Sequence, residues 1–187
     1  DGDAGRSSGI PVSSKAELGA LRRDELRAAC AILGIAALDC GGHPDGALED
    51  VEPELVMAEI VALLRRERPD VVVTFGPEGA PTAHRDHRAI SRLATAAFLL
   101  AGTASAFPEQ LVGGLAPYRP ARLCYSTWPR PAAGVALQTE GQPALVVVPV
   151  HAWLSRKAAA FEVHRTQHQH RAHVEQLALN DTECYFV

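Results

Sequence analysis

No stretch of this 187-residue chain approaches the ~20 consecutive apolar residues that cross a bilayer, so no membrane span is expected. No signal peptide precedes the first helical pattern. Positive charge is not in excess: the formal net charge is -4, which argues against a nucleic-acid binder with its basic field. Cysteine is sparse and scattered, at Cys30, Cys40, Cys124 and Cys184, with no C-x-x-C pair. That spacing supports neither a zinc ribbon nor a disulfide framework, and a reducing cytoplasm is the simplest setting. G-x-G-x-x-G, the phosphate-binding P-loop and the G-x-S-x-G nucleophile elbow are all missing. The chain opens on Asp1-Gly2-Asp3-Ala4-Gly5 rather than Met, as a chain lacking its natural amino terminus would.

What is present is an ordinary globular composition, 47% hydrophobic and 21% charged, at a length suited to one domain with a real core. Ser13 or Ser14 can cap a helix carrying Leu18, Leu21, Ala29, Ile32 and Leu33, and Gly34 stops it. Ile35–Leu38 reads as a short strand, and Pro53–Arg68 as a second helix with Leu55, Ile60, Leu63 and Leu64 inward. The Arg22-Arg23 and Arg65-Arg66 pairs read as solvated faces. Val71–Phe75 is the clearest strand, and its unbroken β-branched run predicts burial on both faces. A third helix is expected from about Arg88 to Ala101, then a Gly/Pro-punctuated region over 102–120. Strands follow near 122–126 and 144–150, and a last helix runs from about Ala152 through His164. Strands alternating with helices indicate an α/β fold with a mainly parallel sheet.

The chemistry concentrates after that clearest strand, where a Gly/Pro loop ends in His84-Arg85-Asp86-His87. The carboxyl edge of a buried strand is where open α/β sheets deliver functional groups. Imidazoles bind zinc, and a neighbouring carboxylate can orient a ring or tune the metal. The alternative is a polar loop with solvated histidines. His43-Pro44-Asp45-Gly46 could reach the same edge, but an ordinary Pro-Asp-Gly turn is the simpler reading. In His164-Arg165-Thr166-Gln167-His168-Gln169-His170 and His173, a solvated helix end accounts for His168, His170 and His173. It accounts less well for His164 and Gln167.

Taken in order, these segments resemble the LmbE/PIG-L family of zinc-dependent de-N-acetylases. The series is Gly2-Asp3-Ala4-Gly5, then Leu21-Arg22-Arg23-Asp24-Glu25 through Gly34, Leu38-Asp39 and Pro44-Asp45-Gly46. It continues with Arg68-Pro69-Asp70 through Gly79, the His-x-Asp-His segment, Trp153–Lys157 and His164-Arg165-Thr166-Gln167. The resemblance covers nearly the whole chain. It implies a single Rossmann-like domain, a mainly parallel sheet flanked by helices, and hydrolysis of an acetamide on an N-acetylglucosamine-type sugar or conjugate.

In that family an early His-Pro-Asp-Asp motif and the last His of a later His-Pro-Asp-His motif hold the zinc. The later motif matches here, with Arg85 where Pro is usual and Ala83 where Gly is usual. The resemblance therefore implies His87 as ligand to Zn2+ (or another divalent transition metal). It implies His84 as the group that stabilises or protonates the tetrahedral intermediate, and Asp86 as the supporting carboxylate. Asp45 and His164 are implied as substrate contacts.

The family's early motif precedes the Gly-x-Ala-Gly loop, so this sequence is expected to lack it together with the first strand and helix. His43 sits in the wrong place to replace it. The expected partner is a small N-acetyl sugar conjugate, with no nucleic acid and no membrane span; homo-oligomerisation is left open. The competing readings are a metal-free binding protein on the same fold, and a different amide or ester hydrolase.

Overall fold

The computed structural model describes residues 2–128, 139–172 and 181–187. The chain divides into two units, Asp1–Gly46 with Val148–Glu183, and Ala47–Val147 with Cys184–Val187. Each is built from a different set of local signals.

In the first unit the longest element is helix α1, Lys15–Leu33. Ser14 caps it by accepting from the Glu17 N–H, and Gly34 ends it in the left-handed region at φ 76°. The Ile35 N–H folds back to the Cys30 carbonyl, completing the C-terminal cap. That closure accounts for the first correction. Ile35–Leu38 is not a strand but irregular chain, with Ile35 50% and Leu38 40% exposed.

Helix α5, Leu154–Glu162, packs against α1. It stops short of His164, which instead precedes a 3-10 turn over Arg165–His170, so His164 and His168 do not share an α-helical face. That turn is fastened to α1 by Glu25, whose buried carboxylate accepts from the Thr166 N–H at 2.8 Å and the Thr166 hydroxyl at 2.6 Å. Arg22 is not a solvated face either. Its guanidinium donates to the Gly2 and Arg6 carbonyls and, with the Gln167 amide turned, to the Gln167 Oε1. His173 lies outside the described residues.

In the second unit, helix α2 spans Pro53–Glu67, with Pro53 in its first turn, where no N–H partner is lost. Its inward face is Val56, Val61, Leu64 and Arg65; Leu55 falls off that stripe and is 61% exposed. Helix α3, Arg85–Leu100, packs on α2 and on strand β1, Val71–Phe75. The apolar centre is Val61, Leu64, Ala97 and Ala101, with Ile60, Val72, Leu100 and Phe107 against it.

Arg65 overturns the expectation of a solvated pair. It is 2% exposed, and its guanidinium donates to the carbonyls of Ala101, Thr103, Ala106 and Phe107 and to the Gln110 side chain. The Gly/Pro-punctuated region, which contains the short helix α4 at Pro108–Val112, is thus organised around one buried cation at the carboxyl end of α3.

Strand β2, Arg122–Thr127, runs parallel to β1, with Val71 opposite Arg122 and Phe75 opposite Ser126. Strand β4, Thr182–Phe186, is antiparallel to β2, and β3, Val146–Pro149, completes the order β1-β2-β4-β3. The α/β class holds, but the sheet is mixed, and β4 had not been anticipated. Burial of β1 on both faces does not hold: Val71 is 47% and Val73 55% exposed, while Val72 faces the core. β1 is an edge strand among the described residues, paired to β2 alone. Among those residues no helix is long and apolar enough to cross a membrane.

Candidate active site

The second unit places the His-x-Asp-His segment at the beginning of α3 rather than in the loop before it. The helix starts at Arg85, three residues earlier than expected, because His84 itself acts as the cap. Its Nδ1 accepts from the Asp86 N–H at 3.2 Å, doing what a Ser or Asp oxygen commonly does. In its neutral form the His84 ring must then carry its proton on Nε2, which makes that atom a donor.

His87 has the opposite tautomer. Its Nδ1 lies 3.3 Å from the Gly79 carbonyl, which can only accept, so Nδ1 donates and Nε2 keeps a lone pair. Phe75, at the end of β1, stacks on the ring with centroids 3.8 Å apart and an interplanar angle of 13°. Burial holds the His87 pKa below its ordinary value of 6.5. The Gly79 hydrogen bond opposes this, His84 adds to it, and Asp86 opposes it. His87 is accordingly a neutral ring near pH 7. The two imidazoles stand 4.9 Å apart between centroids, one presenting a donor and the other an acceptor.

The loop that holds them turns on Gly79. Its carbonyl accepts from both the His84 N–H, at 2.9 Å, and His87. Its φ is +86°, and a Cβ there would lie 2.9 Å from the His84 carbonyl oxygen. Ala80 and Ala83 also sit at positive φ, 63° and 52°. A non-glycine residue in that region is strained, and Ala83 stands where the resembled family usually has Gly.

The Asp86 carboxylate accepts from the Leu48 N–H at 3.1 Å, which ties the 3-10 turn Leu48–Asp50 to the start of α3. Its negative charge in the first helical turn is also favourable to the helix dipole. Arg85 forms a surface pair with Asp50. An open cleft of about 340 Å³ lies at the ends of β1 and β2, lined by Val73, Thr74, Phe75, Ile90 and Ser126. Its size is at the lower end for a small-molecule site.

Asp45 and His164 belong to the first unit. Asp45 accepts from the Ala4 N–H at 3.2 Å and donates its own N–H to Asp3, so it fastens the Gly-x-Ala-Gly loop. Gly46, at φ 75°, completes the turn that the Pro-Asp-Gly reading predicts. His164 is half-buried at the head of the 3-10 turn. Sequence reasoning passed over Gly79 and Phe75 as site-builders. The signal was available in the Gly after the strand, which marks a close backbone approach.

A zinc ion makes definite demands on these donors. His87 fits as one ligand, because its Nδ1–H is fixed by a carbonyl and its Nε2 is unprotonated, the usual arrangement of a metal-bound imidazole. Among the described residues no group of three His, Cys, Asp or Glu could hold a metal ion. A catalytic zinc takes three protein ligands, so these residues alone do not build one.

Comparison with known proteins places these features in context. A family model described as PIG-L, GlcNAc-PI de-N-acetylase, matches residues 1–98. A 1D-myo-inositol 2-acetamido-2-deoxy-alpha-D-glucopyranoside deacetylase of Rhodococcus opacus is 41% identical over 76 residues, 41% of this chain and 25% of the relative. A probable N-acetyl-alpha-D-glucosaminyl L-malate deacetylase 2 of Bacillus cereus is 34% identical over 92 residues, 49% of this chain and 41% of the relative. The matched segments thus span less than half of either curated relative.

Among solved structures, an N,N'-diacetylchitobiose deacetylase of Pyrococcus horikoshii superposes with a TM-score of 0.77 at 20% identity, over 100% of this chain and 69% of that one. A 4-carboxy-2-hydroxymuconate hydratase of Pseudomonas putida superposes with a TM-score of 0.72 at 18% identity, over 98% and 79%. At such identities the likeness shows the fold alone, and the fold serves more than one chemistry.

Proposed function

Starting from the premise that this chain belongs to the PIG-L family of GlcNAc-PI de-N-acetylases, we propose that it serves in the metal-dependent removal of acetyl from an N-acetylglucosamine-type sugar or sugar conjugate. The observation that carries this reading is the pair of opposed imidazoles, His84 with a donor Nε2–H and His87 with an acceptor Nε2, the His84 backbone N–H and the His87 ring sharing the Gly79 carbonyl. Amide hydrolysis needs both: a donor toward the oxyanion or the leaving amine, and a base-type nitrogen that holds an electrophile. The two curated relatives are deacetylases of 2-acetamido sugars by name, which supports the substrate class.

In this reading His87 contributes one donor to zinc. The other donors are the His and Asp of a family motif that these 187 residues do not contain. When bound, zinc would supply a water of lowered pKa. The chain's own residues do the rest. His84 donates a hydrogen bond from its Nε2–H to the developing oxyanion. Asp86 holds the start of α3 against Leu48, and Phe75 stacks on His87 and fixes the orientation of its ring.

The test is acetate release from N-acetylglucosamine conjugates, compared with other acylated substrates, in zinc-supplied protein joined to a segment bearing the family's His and Asp donors, and in the same protein with His84→Ala. The proposal expects acetate from the acetamido sugar and a loss of about 10²–10³ in kcat for the variant. Equal turnover of unrelated esters, or no effect of the variant, would count against it. The competing reading is a metal-free sugar-binding member of the family. Sugar binding without acetate release would select it.

A further inference from the structure

Among the described residues of the second unit, two buried polar groups have no hydrogen-bond partner, and both lie just beyond the carboxyl ends of neighbouring parallel strands. Glu78 follows β1 by three residues, and both of its carboxylate oxygens are closed off from solvent without a donor. Trp128 follows β2 directly, and its indole N–H is buried without an acceptor. β1 and β2 are in parallel register, Phe75 opposite Ser126, so the two groups leave the sheet at the same edge. The segments that follow the two strands are joined as well, because the Thr139 hydroxyl donates to the Ala80 carbonyl two residues after Glu78.

Unpartnered buried polar atoms are rare in native proteins, and each calls for a cause. Packing does not supply one here. The Glu78 carboxylate is folded onto the Cα of Gly76, where any side chain would collide with it, and no hydrogen bond holds it there. Rotating it outward breaks no hydrogen bond. The same loop leads into His84 and His87 at the start of α3, and in open α/β sheets the crevice beyond the carboxyl ends of the strands is where ligands bind.

We propose that Glu78 and Trp128 form a hydroxyl-recognising subsite beside the two histidines, Glu78 accepting from adjacent hydroxyls of a polyhydroxylated ring and the Trp128 Nε1–H donating to one of their oxygens. This rests on the proposed sugar substrate and adds to it the residues that read the ring rather than the acetamide. A carboxylate offers two acceptor oxygens to neighbouring O–H donors, and an indole offers a single N–H. Together they match a ring hydroxyl's capacity both to donate and to accept. A ligand with an acetamide and no hydroxyls would leave both groups as they are.

The test uses three probes, N-acetylglucosamine, glucose and acetamide, titrated calorimetrically into the full chain and into the Glu78→Gln and Trp128→Phe variants. Thermal unfolding of each ligand-free variant serves as a control. The inference expects both sugars to bind about tenfold more weakly to Glu78→Gln and measurably more weakly to Trp128→Phe, with acetamide unaffected. It also expects ligand-free Glu78→Gln to melt no lower than the parent, and by about 2–4 °C higher if the buried carboxylate is the costly group, because no contact is lost. A purely structural Glu78 would lower that temperature and leave the sugar titrations unchanged, which would overturn the proposal. So would a parent protein that binds neither sugar. Failure of the deacetylase reading looks different: glucose binding and its dependence on Glu78 persist while no acetate is released.

Discussion

Gly79→Ala is the substitution that most severely strains the loop supporting both histidines. Gly79 has φ +86°, a region that costs an L-residue about 1–2 kcal/mol. A methyl group there would lie 2.9 Å from the His84 carbonyl oxygen, 3.1 Å from the Ala83 carbonyl carbon and 2.8 Å from Arg88 Cγ. The arginine carbon can move, but the two backbone atoms belong to the cap of α3 and cannot move alone. Reduced freedom of the unfolded chain returns about 0.4–1 kcal/mol. The strain and the backbone collision outweigh it, and a net loss of about 2 kcal/mol or more is expected.

The more specific consequence concerns the rings. Moving the Gly79 carbonyl releases the His84 N–H and the His87 Nδ1–H together. Urea unfolding measures the first effect, and nitrogen chemical shifts of the two imidazoles measure the second. The expected result is a lower midpoint together with loss of the fixed Nδ1–H form of His87. A variant within about 0.5 kcal/mol of the parent, with His87 still protonated at Nδ1, would refute the reasoning.

Other outcomes follow from the same geometry. Ala83→Gly relieves a residue at φ 52°, and a gain of about 0.5–1 kcal/mol is expected in urea unfolding; a loss would show that the loop carries no strain there. Arg65→Met should cost about 3 kcal/mol, because four carbonyls and one amide oxygen lose a buried charged donor. Arg65→Lys should rescue little of that stability, since a compact ammonium cannot reach the same spread of acceptors; full rescue in thermal melts would contradict the arrangement. His87 binds a proton more weakly when folded than when unfolded. Its contribution to stability is therefore fully present above about pH 6.5 and is lost as pH falls from there through the lowered folded value. Unfolding midpoints of the parent should accordingly fall faster on acidification than those of His87→Gln, and parallel curves would exclude the shift.

Much of this was legible in the residues, and the exceptions share physical causes. Ser14, Gly34 and Pro53 punctuate helices through local backbone chemistry, so α1 and α2 were readable within a residue or two. The start of α3 was missed because histidine rarely caps a helix, and its role becomes visible only when Nδ1 is seen accepting from Asp86. Arg65 looked solvated because neighbouring charges on a helical pattern usually are. Its burial depends on carbonyls 36 to 42 residues away, which no local pattern encodes. Ile35–Leu38 has the composition of a strand but no partner strand among the described residues, and β-structure requires one. The His-x-Asp-His segment was found from its position after β1. The opposed tautomers that give it meaning depend on Gly79.

The central claim is that His87 offers an unprotonated Nε2 to a metal while His84 offers a proton. It is tested most directly by adding zinc to the nitrogen-labelled protein and following both rings together with the bound metal. At excess zinc the account predicts weak, single-donor binding that moves the His87 Nε2 resonance, retains its Nδ1–H on Gly79 and leaves the His84 Nε2 protonated. An unmoved His87 Nε2 at saturating zinc, or zinc bound through His84 instead, would contradict it.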